Sequence, residues 1–324
     1  MATVEILGNK VLEGASLTRQ EALELYGAPL KPLCRKADEI RRHYCSNRFD
    51  LCTIINGKSG RCPENCSFCA QSAHSHTGAA VYPLLSDREL LEGARQNAGR
   101  GVLRYSIVTS GKRLTDEEVD RMCRAVRKIR SEVNIRVCVS FGLLTEEQFR
   151  KLRDAGVSRV HNNLETSRRN FPNVCTTHTY GDKIAAIRSA QAAGLPVCSG
   201  GILGLGETEE DRVDLALTLR ELGIRSVPVN FLNPIPGTPL AHHPKLSAED
   251  LCRAVAVFRF LLPDAAIRLA GGRGLLPDKG RRCFCSGANA AISGDMLTTA
   301  GITVETDKRL LHELGYEIRE IPSV

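Results

Sequence analysis

Through the middle of the chain, short runs in which apolar and polar residues alternate are separated by stretches whose apolar positions recur every three to four residues. The short runs predict strands at 102–108 (VLRYSIV), 135–141 (IRVCVSF), 158–164 (SRVHNNL), 195–199 (LPVCS), 226–231 (SVPVNF) and 265–270 (AAIRLA). LCTIIN at 51–56 reads as a first strand, and 291–296 as an eighth. The longer stretches predict helices at 86–98, 115–130, 145–155, 180–193, 207–222 and 246–262. Two of them open on a capping-box spacing, Ser86 with Glu89 and Thr115 with Glu118. Six to eight strand–helix units in series imply a parallel sheet, either closed or doubly wound.

The strand interiors favour closure. Arg159, His161, Asn163 and Glu165 alternate with Val160, Asn162 and Leu164, and Arg136, Cys138 and Ser140 alternate with Ile135, Val137 and Val139. A doubly wound sheet is covered on both faces and wants apolar residues on each, so polar inward rows predict a (β/α)8 barrel of the TIM type with ligands in its lumen. Residues 1–46 read as an N-terminal extension of two amphipathic helices, 47–301 as the barrel, and 302–324 as a short C-terminal extension packed on it. A chain of 324 residues is long enough for one such domain.

Composition narrows the function. Tryptophan is absent and aromatics make up 5%, which disfavours a stacking surface for nucleic acid. The net charge of +7 is spread over scattered pairs such as Arg41/Arg42, Arg168/Arg169 and Arg281/Arg282, so it suits a solvated surface or a small anion. No apolar stretch is long enough for a membrane span, and the first 20 residues show no export signal, so the expected location is the cytoplasm. In a reducing compartment thirteen cysteines point to metal or redox chemistry rather than to a disulfide framework.

Three of them, Cys62, Cys66 and Cys69, form a C-x3-C-x2-C run in RCPENCSFCAQSAH, directly after the first strand. Structural zinc sites close with four ligands, and here only His74 or His76 could complete one. An iron–sulfur cubane accepts three thiolates from one short loop and leaves its fourth iron open for a small molecule. The glycines of CSGGILGLGE echo a dinucleotide fingerprint, but they follow a late strand rather than the first. They read instead as places where backbone approaches a cofactor closely.

CPENCSFCAQSA resembles the radical S-adenosylmethionine superfamily, and within it the biotin synthases. HNNLETS, TTHTYGDK, VCSGGILGLGET, VPVNFLNPIPGTPL and CFCSGANAAISGDMLTTAG extend the likeness over roughly residues 50–300. The resemblance implies a sulfurtransferase with a [4Fe–4S] cluster on Cys62, Cys66 and Cys69, its open iron chelated by S-adenosylmethionine, and dethiobiotin as substrate. It implies an auxiliary iron–sulfur cluster as sulfur donor, reduced flavodoxin or ferredoxin as electron donor, and a homodimer.

By the same likeness, Asn163 and Asn230 meet the ureido ring of dethiobiotin, while Glu165, Lys183 and Phe68 meet S-adenosylmethionine. Glu165 and Lys183 stand where the family commonly carries Asp and Arg. For the auxiliary cluster the resemblance matches Cys138, Cys198 and Arg273, whereas the third cysteine position holds Ser106, a poor iron ligand. Cys283 and Cys285 are two further thiols at close spacing, and with Cys138 and Cys198 they would suit a four-iron cluster better than a [2Fe–2S] one. Cys34, Cys45, Cys52, Cys123, Cys175 and Cys252 receive no role, Cys175 being the first to reconsider. A sister radical enzyme of the hydrogenase-maturase or methylornithine-synthase type, and a non-catalytic metal carrier, remain alternatives.

Overall fold

The computed structural model describes residues 2–321. Three helices, not two, precede the barrel: α1 (Ala2–Leu12), α2 (Arg19–Tyr26) and α3 (Leu30–Cys45). In α1, Val4, Leu7 and Val11 are buried at helical spacing, and the helix lies across α3. Gly8 lets it approach, because a Cβ there would stand 2.4 Å from Cγ of the Lys36 side chain.

The strands are β1 (Arg48–Lys58), β2 (Arg104–Thr109), β3 (Arg136–Ser140), β4 (Val157–His161), β5 (Val197–Cys198), β6 (Gly201–Leu203), β7 (Ser226–Phe231), β8 (Ala266–Leu269), β9 (Ala290–Ser293) and β10 (Glu317–Ile318). Between and after them lie α4 (Asp87–Gly99), α5 (Asp116–Glu132), α6 (Glu146–Asp154), α7 (Phe171–Val174), α8 (Tyr180–Ala192), α9 (Glu209–Glu221), α10 (Ala248–Leu261), α11 (Arg281–Phe284) and α12 (Val304–Glu313). All strand pairings are parallel, and β1 closes the barrel on β9 from Asp50↔Ala290 to Thr53↔Ser293. The expected eight-stranded barrel is therefore present, with β5 and β6 as two pieces of one interrupted wall strand.

Each of the six long helices of the barrel starts on a reciprocal capping box. Ser86, Thr115, Thr145, Thr179, Thr208 and Ser247 accept from the backbone three residues on, and the residue there returns a bond to the cap. The C-terminal extension is the helix α12 followed by β10, which pairs with the start of β1 through Arg48↔Glu317 and Phe49↔Ile318. No helix among the described residues is long and apolar enough to cross a membrane, and all thirteen cysteines are free.

The barrel floor is ionic. Asp50 on β1 is fully buried and faces Arg104 of β2 (Nε to Oδ2, 3.2 Å), Arg268 of β8 (Nη2 to Oδ1, 3.0 Å) and Arg159 of β4 (Nη1 to Oδ2, 3.8 Å). Burial alone would raise the Asp50 pKa, yet the three guanidiniums hold it down at about 2. Arg104 also reaches Glu320 beyond β10, which pairs in turn with Arg136.

Asp50→Asn leaves three buried guanidiniums without their counter-charge and should cost about 3–5 kcal/mol, read as a lower midpoint in denaturant unfolding. Because the folded pKa of Asp50 is about 2, below the unfolded ~3.9, its contribution is full above pH ~4 and lost as pH falls through the folded value. The gap between parent and variant should therefore narrow in acid.

Candidate active site

Beyond β1 the chain folds back on itself as a loop. Cys62 N–H donates to Gln71 O (3.0 Å), Ala73 N–H to Cys62 O (2.8 Å) and Cys69 N–H to Cys66 O (3.0 Å). The reversal needs left-handed backbone at Gly60 (φ 76°) and Arg61 (φ 49°). Cys62, Cys66 and Cys69 emerge half-buried. Their sulfurs are not gathered for one ion: among the described residues, the metal-binding side chains within 4.8 Å of one another are Cys66, Cys175 and His178. A spread triplet suits separate irons of a cluster better than a single zinc. His74 Nε2 meets Pro63 O at 3.1 Å and stands outside that tight group.

The loop is tied to the segment after β4. Asn65 Oδ1 accepts from Thr176 N–H (2.9 Å), Asn65 N–H donates to Thr177 Oγ1 (3.1 Å), and Ser67 N–H donates to Val174 O (2.9 Å). Glu64, itself buried, pairs with His178 Nδ1 and accepts from Thr177 Oγ1 at 2.8 Å.

A cavity of about 340 Å³ runs from this loop down the barrel axis. Its deep end holds Cys52 of β1, Cys138 of β3, Cys198 of β5 and Arg268 of β8, all buried. Arg268 Nη1 donates to Cys52 Sγ (3.1 Å) and to the carbonyls of Asp50 (2.9 Å) and Ala291 (3.1 Å). Ser226 Oγ donates to Cys198 Sγ at 3.2 Å, and Cys138 Sγ lies 3.8 Å from Ser158 Oγ. Burial pushes the Cys52 thiol up to about 12, with Arg268 pulling the other way. Burial also works against charge on Arg268, but Cys52, Asp50 and Cys198 outweigh it and raise its pKa, so the guanidinium stays protonated.

Not all of the expected donors line this cavity. Cys283 is buried behind the wall, its sulfur 3.7 Å from that of Cys252 on α10, and Cys285 is exposed, so neither lines the cavity. Arg273 lies beyond β8 and pairs with Asp307 of α12 (Nη2 to Oδ2, 2.6 Å), bordering a separate pocket instead. Ser106 does line the cavity, beside Cys138 in the sheet register. Cys52, given no role by sequence, lines the cavity from β1.

At the mouth lie Asn163, Glu165, Asn230 and Phe68. Asn163 Oδ1 accepts from Gly200 N–H (3.1 Å) and its Nδ2 donates to Glu165 (3.3 Å). Asn230 Oδ1 accepts from Gly271 N–H (2.9 Å) and its Nδ2 donates to Gly201 O (3.1 Å). Each amide therefore keeps one N–H and one lone pair free. Glu165 adopts φ 68°, a left-handed conformation unusual for a non-glycine residue. Lys183, at the start of α8, donates to Asn162 Oδ1 at 3.4 Å and does not line the cavity. His161, between the two ends, has its pKa lowered to about 4 by burial and is neutral.

The Radical SAM superfamily pattern matches residues 58–219, and that of the Biotin and Thiamin Synthesis associated domain matches 228–317. The biotin synthase of Akkermansia muciniphila is 59% identical over 319 residues, covering 98% of this chain and 99% of that relative. Biotin synthase 2 of Corynebacterium diphtheriae is 56% identical over 317 residues, covering 98% and 96%. The chain belongs to the biotin synthase family. Among solved structures, methylornithine synthase superposes with a TM-score of 0.84 over 97% of both chains, at 22% identity, which is a likeness of fold.

Two signals for this cavity were present in the sequence. Arg268 occupies the interior of the predicted strand 265–270, whereas Arg273 falls after its end, past Gly271 and Gly272. Cys52 sits in the predicted first strand, but its face depends on where that strand starts. The glycines of CSGG let the wall strands pack closely. A Cβ on Gly200 would lie 1.9 Å from Pro228 O of β7, and one on Gly201 would lie 2.4 Å from Glu165 O.

Because the clash at Gly200 is with backbone, Gly200→Ala should force β7 away from β5 and β6 and destabilise the enzyme by at least about 1–3 kcal/mol. A thermal-shift comparison with Ser199→Ala, at a neighbouring buried position, measures this.

Proposed function

We propose that this protein inserts sulfur into dethiobiotin, with S-adenosylmethionine bound at a [4Fe–4S] cluster on Cys62, Cys66 and Cys69. Cys62, Cys66 and Cys69 would hold the first cluster, which would supply the electron for reductive cleavage of S-adenosylmethionine and so the radical chemistry needed at unactivated carbon. Thiols deeper in the same cavity would hold an auxiliary iron–sulfur cluster as sulfur donor. Electrons from reduced flavodoxin or ferredoxin and a homodimeric assembly are the partners the family likeness supports.

The observation that carries this reading is one cavity lined by Cys69 of the loop and, deeper, by Cys52, Cys138 and Cys198, with two half-used amides near its mouth. Asn163 and Asn230 each offer one donor and one acceptor to a urea, whose N–H and C=O groups need both. Glu165 presents its carboxylate at the mouth for a ribose diol, and Phe68 adds an apolar wall. Lys183 supplies charge near the methionyl carboxylate through the layer behind the cavity, at Asn162. The neutral His161 and buried wall keep bulk water from the radical's path.

Cys52, Cys138 and Cys198 are the donors we assign to the auxiliary cluster. Arg268 is held protonated by Asp50 and Cys52, and a protonated guanidinium has no lone pair to give iron. It serves as a hydrogen-bond donor to the Cys52 sulfur. Three thiolates without a fourth protein ligand repeat the donor set of the loop, which supports a four-iron cluster over a two-iron one.

Anaerobic reconstitution with iron and sulfide analysis tests the assignment. Cys52→Ala should drop toward the iron content of one four-iron cluster and lose biotin formation while still releasing 5′-deoxyadenosine. Ser106→Ala and Cys285→Ala should keep the second cluster. A full iron complement in Cys52→Ala would refute the deep donor set.

Asn230→Ala should weaken dethiobiotin binding about 10- to 100-fold, equivalent to the ~1–3 kcal/mol of an unpaired polar group, and affect S-adenosylmethionine far less. Calorimetric titration of both ligands separates this from general damage, which would weaken the two equally.

A further inference from the structure

Gln71 lines the cavity two residues past Cys69, is 6% exposed, and has a side chain that the reaction outlined above does not use. Which end of its amide faces the cavity follows from what the other end must do. Gly60 N–H donates to Gln71 Oε1 at 3.2 Å, and only the oxygen of the amide can meet a backbone N–H. Asn56 Nδ2, fixed by its bond to Leu297 O (2.9 Å), approaches the same oxygen at 3.5 Å. Nε2 then has no hydrogen-bond partner among the described residues, and it is not sealed from the cavity. Two N–H donors of a buried side chain are thus turned on the space that a ligand would fill.

Asn163 and Asn230 each keep one donor and one acceptor, the mixture a urea needs, whereas Gln71 offers donors alone. Its complement is a group that only accepts, which an ionised carboxylate is. Position agrees with chemistry. With β5 and β6 as one wall strand, the closed order runs β1, β2, β3, β4 one way and β1, β9, β8, β7 the other. Gln71 is tied to Asn56 of β1 and to Gly60 just past it, so it faces the two asparagines, after β4 and on β7, from across the mouth. Beside it the lining turns apolar with Ile292, Met296 and Leu297. The arginines of the lining, Arg104, Arg159 and Arg268, are gathered around Asp50 on the floor, and no lysine lines the cavity. We propose that Gln71 Nε2 binds the carboxylate of dethiobiotin, with the ureido ring between Asn163 and Asn230 and the alkyl chain along Met296 and Leu297. The acid end is then recognised by a neutral donor instead of a cation, and S-adenosylmethionine keeps to the side of Glu165 and Lys183. The inference rests on dethiobiotin being the substrate, as set out under the proposed function.

The test is calorimetric titration of the reconstituted enzyme and of Gln71→Glu with dethiobiotin and with its primary carboxamide, S-adenosylmethionine being titrated separately. The substitution keeps an oxygen for Gly60 N–H and replaces the two donors by a second oxygen. The parent should bind the acid about tenfold more tightly than the carboxamide, because a hydrogen bond to a charged acceptor is roughly twice as strong as one to a neutral acceptor. Gln71→Glu should reverse that order, losing about 10- to 100-fold for the acid while holding the carboxamide, whose NH2 donates to the new carboxylate. Its affinity for S-adenosylmethionine should not change. Equal binding of acid and carboxamide by the parent would overturn the proposal without recourse to any variant, and so would an unchanged ratio in Gln71→Glu. Weaker S-adenosylmethionine binding with dethiobiotin untouched would give the amide to the cofactor and overturn it as well. A parent that binds neither the acid nor the carboxamide would instead sink dethiobiotin as the substrate, and this inference with it.

Discussion

One carboxylate sets the terms for the interior. Asp50 is fully buried and meets arginines from β2, β4 and β8, three strands that are distant in sequence and come together only when the barrel closes. Buried charges are tolerated only when balanced, so this cluster favours a single strand register and penalises any other. It also orients the deep site. Arg268 is fixed by Asp50 and by two carbonyls, and only in that orientation does it deliver an N–H to Cys52. Closure of the fold and presentation of the inner thiols thus depend on one electrostatic knot.

The two ends of the cavity use similar chemistry under different constraints. The loop thiols are half-buried, on irregular backbone shaped by its own hydrogen bonds and by a clamp from Glu64 and Asn65. The deep thiols sit on wall strands, fully enclosed, with positions that change only if the barrel changes. Between them lie the paired asparagines, whose amides are half committed to neighbouring glycine backbone. That commitment limits how the amides can rotate, so the groups left over point in set directions.

Local features of the sequence were legible. Alternation in 158–164 and 135–141 placed Arg159, Asn163 and Cys138 on the cavity side, and the Ser86/Glu89 and Thr115/Glu118 spacings marked true helix starts. What escaped was adjacency between distant strands. Cys283 and Cys285 are neighbours in sequence, yet α11 turns them to the outer side of the wall, while Cys52, Cys138 and Cys198 are far apart in sequence and share one chamber. The family likeness pointed to Arg273, but strand β8 ends before it and the chain has already turned toward α12. The helix α1 and the strand β10 were hidden for a related reason. The first carries few charged residues to outline a face, and the second is two residues long and exists only through β1.

The ionic floor also decides what the chamber presents from below. Arg104, Arg159 and Arg268 line it beside Cys52, Cys138 and Cys198, while Asp50 lies behind them and out of the lining. The lower end therefore turns fixed guanidinium charge toward the cavity, and a thiol that loses its proton there does so against a cationic backdrop that is already part of the fold.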